Sequence, residues 1–100
     1  MTREDVINNL VTVLQRYPVK RAALFGSYAR GDFSDMSDID MVVDFIEGVS
    51  LSDNFFDLYD ELEERLGRKF DLICYGTVEH YMKPRLKQNI TKDLKWFYES

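Results

Sequence analysis

The sequence holds a single cysteine, Cys74, which excludes a disulfide framework and cannot by itself form a zinc site. Its one histidine, His80, has no partner at ligand spacing and reads as a partly exposed helical residue. No apolar run approaches the roughly 20 residues that a membrane-spanning helix needs, so an integral helical membrane protein is excluded. The charged opening Met1-Thr2-Arg3-Glu4-Asp5 leads into no apolar stretch of the secretory type. Basic residues are outnumbered, 13 Lys and Arg against 18 Asp and Glu, and a net charge of −5 argues against a generic nucleic-acid binder. What is present suffices for a core: 45% of the residues are apolar and 14% aromatic, far from a disordered composition. The expectation is one cytoplasmic domain over residues 1–100.

The charge is unevenly placed. Residues 1–31 carry +3, residues 32–64 carry −12 without one Lys or Arg, and residues 65–100 carry +4. Such a pattern suits a solvated acidic face, or an acidic metal-binding segment whose basic flanks meet an anion.

Thr2 and Asp5 form a capping-box pair, with Asp in place of the commoner Glu, before Val6, Ile7, Leu10, Val11, Leu14 and Tyr17 at helical spacing. The spacing predicts a helix over 3–17, stopped by Pro18. Ala22-Ala23-Leu24-Phe25 reads as a buried strand that ends at Gly26-Ser27, and residues 31–37 as a polar loop. From Asp38 the period becomes two, with Asp38, Asp40 and Val42 on one face and Ile39, Met41 and Val43 on the other. Ser52 or Asp53 can cap a second helix with the stripe Phe55, Phe56, Tyr59, Leu62 and Leu66, and Gly67 stops it. Residues 69–75 predict a third strand, with Phe70, Leu72 and Cys74 opposite Asp71, Ile73 and Tyr75. Beyond Gly76 the pattern weakens to a helical turn over 77–82, a helix from Pro84 to about Asn89, and a final segment over 91–98. Three strands alternating with helices predict an α/β or α+β fold on a small mixed sheet.

Chemistry concentrates at the strand ends. A Gly26-Ser27 turn lets a ligand approach the backbone, its amides can face an anion, and the Ser27 hydroxyl adds a donor. After ten intervening residues, Asp38 and Asp40 share one strand face with Cα atoms roughly 6.6 Å apart. At an effective dielectric near 20 their charges repel by about 2.5 kcal/mol, a conflict that a hard cation such as Mg²⁺ removes. If the third strand lies beside the second, Asp71 joins them, and three carboxylates opposite a Gly-Ser turn make a two-metal phosphoryl-transfer site. Singly, each feature has a plainer reading: a turn, a solvated strand end, a surface acid. Arg30 reads as a surface ion-pair residue, Cys74 as a small core hydrophobe, and Lys83, Arg85, Lys87, Lys92 and Lys95 as a solvated face.

The joint pattern resembles the signature of the minimal nucleotidyltransferases, the small members of the polymerase-beta-like superfamily. Phe25-Gly26-Ser27-Tyr28-Ala29-Arg30-Gly31-Asp32 and Ser37-Asp38-Ile39-Asp40 match it residue by residue, and Lys69-Phe70-Asp71-Leu72-Ile73 matches its third-carboxylate strand. The resemblance spans residues 3–75 well and 76–100 loosely. It implies a mixed-sheet palm with flanking helices, ATP and Mg²⁺ as cofactors, and transfer of a nucleoside monophosphate to a hydroxyl. It further implies metal binding by Asp38, Asp40 and Asp71, and phosphate binding by Gly26 and Ser27. A chain this short looks like the antitoxin half of a HEPN/MNT toxin–antitoxin pair, transferring AMP to a tyrosine of its HEPN ribonuclease partner. No direct nucleic-acid contact and no membrane are expected. Two alternatives stand beside this reading: transfer to a small molecule such as an aminoglycoside, and a non-catalytic antitoxin that blocks its partner sterically.

Overall fold

The computed structural model describes residues 2–34 and 36–100; Met1 of the charged opening and Asp35 of the expected loop lie outside the described residues. Helix α1 (Arg3–Leu14) begins at the expected capping box. Thr2 N–H donates to Asp5 Oδ2 at 3.0 Å, and Asp5 N–H donates to Thr2 Oγ1 at 3.1 Å. It ends three residues earlier than the periodicity predicts, because Arg16 and Tyr17 donate to Val13 and Leu14 in tighter i to i−3 turns ahead of Pro18.

Strand β1 (Val19–Phe25) feeds the short helix α2 (Gly26–Arg30), and β2 (Ile39–Phe45) follows the loop. Next come α3 (Leu51–Leu66), β3 (Phe70–Cys74), α4 (Tyr75–His80), α5 (Pro84–Lys92) and β4 (Lys95–Glu99). The four strands form one mixed sheet in the order β3-β2-β1-β4. β1 runs antiparallel to β2 and β4, whereas β2 and β3 are parallel.

Period-two alternation sorts the side chains into two cores. On one face Ile39, Met41, Val43, Ala22, Leu24, Phe70 and Leu72 pack against Val6, Leu10 and Val13 of α1 and Leu58, Leu62 and Leu66 of α3. On the other, Phe25 and Val42 meet Val78 of α4 and Ile90 of α5. Among the described residues no helix is long and apolar enough to cross a membrane.

Three expectations need correction. Ser52 and Asp53 lie inside the first turn of α3; the N-cap is Ser50, whose hydroxyl donates to Asp53 Oδ2 at 3.1 Å. The buried stripe of α3 is Leu58, Leu62 and Leu66, flanked by Phe55 and Tyr59, while Phe56 sits about 100° round the helix and is 65% exposed. The last segment is a fourth strand. Trp96-Phe97-Tyr98 suits an edge strand by aromatic propensity, but shows no alternation that would have marked it in the sequence.

Candidate active site

The site lies where three strand ends meet. β1 finishes at Phe25 opposite Asp40, and Asp40 is paired across the parallel ladder with Asp71. Paired residues point to the same side, so the two carboxylates share the sheet face of Val42, across a strand spacing of roughly 4.8 Å. Helices α4 and α5 cover Val42 but leave Asp71 exposed. Asp38, also exposed, stands one residue ahead of β2, where Ile39 N–H donates to Lys69 C=O at 3.0 Å.

Gly26 explains how Asp40 fits. Its φ of +67° turns the chain from β1 into α2, and a Cβ there would collide with the Asp40 carboxylate. The absent side chain is therefore the space that the acid occupies. Ser27 follows in the first turn of α2, while Tyr28 and Ala29 anchor that helix in the core.

Half-burial, then the neighbouring charges of Asp71 and Asp38, push the Asp40 carboxyl up to about 6, against a smaller opposing pull from Arg30. Arg30 is occupied elsewhere: it ion-pairs with Asp32 and with Asp93 beyond α5, each at 3.1 Å, in agreement with its reading as a surface ion-pair residue. The donor set is hard oxygen throughout, and the charge conflict at Asp40 is the kind that a divalent cation relieves. Among the described residues no three acid, imidazole or thiol side chains already converge on one point. Asp38 and Asp71 are exposed, so rotation of their side chains is what a bound cation would require. The donor chemistry thus fits Mg²⁺.

The remaining candidates lie apart. A cavity of about 390 Å³ bordered by Asp44, Cys74, Tyr75 and His80 sits at the far end of β2, away from the paired acids. Burial pushes the Cys74 thiol up, which keeps it protonated and suits a packing role. His80 is exposed on α4, as expected, and Lys83, Arg85, Lys92 and Lys95 are exposed. Sequence reasoning missed Arg68, whose guanidinium donates to the carbonyls of Ser34 and Ser37. No linear pattern marks it.

The family model Polymerase beta, Nucleotidyltransferase matches residues 8–100. A Methanocaldococcus jannaschii protein provisionally named as a protein adenylyltransferase is 40% identical over 86 residues, 86% of this chain and 91% of its own. The protein adenylyltransferase MntA of Thermococcus cleftensis is 40% identical over 78 residues, 78% of this chain and 70% of its own. Among solved structures, one provisionally described as a minimal nucleotidyltransferase superposes with a TM-score of 0.71 at 28% identity, covering 95% of both chains. A toxin–antitoxin crystallised with AMP-PNP gives 0.71 at 22% identity, covering 94% of this chain and 73% of that one. The complex of a tri-AMPylated Shewanella oneidensis HEPN toxin with its MNT antitoxin gives 0.69 at 19% identity, covering 99% of this chain and 74% of that one. These last two speak for the fold alone.

Proposed function

Because the chain belongs to the polymerase beta nucleotidyltransferase family, we propose that it is a protein adenylyltransferase, the antitoxin of a HEPN/MNT pair, moving AMP from ATP to a tyrosine hydroxyl of its toxin. The observation that carries the chemistry is the pairing of Asp40 with Asp71 beside a glycine whose missing side chain makes room for the acid. Gly26 and Ser27 receive the terminal phosphates of ATP, the backbone close-packed at Gly26 and the Ser27 hydroxyl donating. Asp38, Asp40 and Asp71 would hold Mg²⁺, which when bound neutralises charge on the α-phosphate and the departing pyrophosphate. Asp71, exposed like Asp38 but on the strand beside Asp40, takes the proton of the acceptor hydroxyl as that oxygen attacks the α-phosphorus in line and the bond to pyrophosphate breaks. Asp40, half-buried and fixed against Gly26, keeps the donor set in register. ATP as donor and a HEPN toxin as partner accord with a cytoplasmic setting.

Co-expression with a HEPN-type partner, followed by intact-mass measurement of that partner, tests the reading. The expected result is a mass increase by whole AMP units that disappears with Asp40→Asn. An unmodified partner that is nevertheless held in a tight complex would replace it with steric neutralisation.

A further inference from the structure

Asp38 lies outside the sheet, so something other than the strand ladder must fix it. The chain on both sides of it is gripped by one dipeptide. Upstream, Arg68 Nη2 donates to Ser37 C=O at 2.7 Å and to Ser34 C=O at 3.1 Å. Downstream, Ile39 N–H donates to Lys69 C=O at 3.0 Å. The turn thus held is closed on itself: Ser37 N–H donates to Ser34 C=O at 3.1 Å and Ser34 N–H to Ser37 Oγ at 2.9 Å. The guanidinium is steadied in turn by an aromatic stack. Its carbon lies 5.5 Å from the ring centre of the fully buried Tyr28, which stacks on Phe33 at 4.3 Å. Three residues further along the same segment comes Asp71.

We infer that Arg68 is a positioning residue, which brackets Asp38 from the segment leading into the strand that carries Asp71 and so sets both outer carboxylates relative to Asp40. This rests on the metal-nucleotide reading of the three acids. Carbonyls fixed by a charged donor define where the next side chain starts, and a donor fork that also stacks loses little freedom in doing so. Groups that orient metal ligands typically matter 10–100-fold in metal affinity.

The experiment uses the whole chain with Arg68→Ala and Arg68→Lys. Mn²⁺ binding in the presence of a non-hydrolysable ATP analogue is read by electron paramagnetic resonance, amide hydrogen exchange over residues 34–40 without ligand, and Tm as control. Arg68→Ala should bind Mn²⁺ about 10–100-fold more weakly with faster exchange confined to that segment. Arg68→Lys, which keeps the charge but loses the planar stack, should fall between, and carries the test if the alanine variant does not fold. Wild-type Mn²⁺ affinity and exchange in a folded variant would overturn the proposal, as would a lowered Tm with unchanged affinity, the mark of a merely structural role. Failure of the wild-type protein to transfer AMP would sink the activity reading instead, and the exchange rates would still judge the bracket.

Discussion

Asp40 and Asp44 stand on the same face of the same strand, four residues apart, and the fold treats them in opposite ways. Asp44 accepts from Arg21 Nε at 3.1 Å across the β1–β2 pair. That guanidinium lies 4.1 Å from the ring centre of Trp96 and 4.8 Å from that of Tyr75. One ion pair therefore ties β2, β1, β4 and the start of α4 together. Asp40 gets the reverse: a glycine that yields it space, two acids as charged neighbours, and an arginine committed elsewhere. Where the chain supplies the counter-charge, the acid is structural. Where it supplies more negative charge, the counter-charge has to come from outside.

The contrast is broken most severely at Asp40. Asp40→Asn should remove AMP transfer by several orders of magnitude, and with it the rise in Tm that Mg²⁺ and ATP give the wild-type protein by mass action. Calorimetry with and without Mg²⁺-ATP checks the second part; a variant that gains as much as wild type refutes the assignment. Gly26→Ala comes next. The new methyl displaces the Asp40 carboxylate and forces a left-handed backbone on alanine, so transfer should drop by about 10²-fold and stability by ~1 kcal/mol, read by kinetics and urea titration.

Asp44→Asn should do the converse. Loss of a part-buried charge-assisted bond lowers stability by ~1–2 kcal/mol in denaturant titration, while transfer stays near wild type. The most gradual effect is in pH. The Asp40 carboxyl is raised from 3.8 to about 6, so the fold favours its protonated form. That contribution is complete below about pH 4 and is lost as pH rises through about 6, by ~1–2 kcal/mol in metal-free protein after allowing for solvent screening. Other acids titrate in the same range, so the quantity to measure is the difference between wild type and Asp40→Asn across pH 4–7. Parallel stability curves would show that Asp40 ionises without penalty.

Much of the site was legible because its signals are local. Strand phase sets Asp40 and Asp71 each opposite the apolar residues that face α1 and α3, a property of two short runs of sequence, although only the β2–β3 pairing brings the two acids together; the Gly26-Ser27 turn announces itself by residue type. The Thr2–Asp5 box and the left-handed stop at Gly67, with φ of +62°, are equally short-range. What escaped depends on pairs distant in sequence. Arg21 meets Asp44 only once β1 and β2 are in register, Arg30 meets Asp93 only once α5 has folded back, and Arg68 meets Ser37 only through the β2–β3 pair. β4 escaped for another reason: none of its residues is fully buried, Phe97 and Tyr98 being only partly covered, so no face of the strand imposes a clean alternation on Trp96-Phe97-Tyr98.

On the reading proposed, the Asp40 end of β2 does chemistry while the Asp44 end holds the fold. The most direct test of that division incubates purified HEPN-type partner with α-labelled ATP and Mg²⁺, together with wild type, the Asp38→Asn/Asp40→Asn double variant, or Asp44→Asn. Label is expected on the partner with wild type and Asp44→Asn, and a loss of several orders of magnitude with the double variant. Equal labelling by the double variant and wild type would contradict that reading.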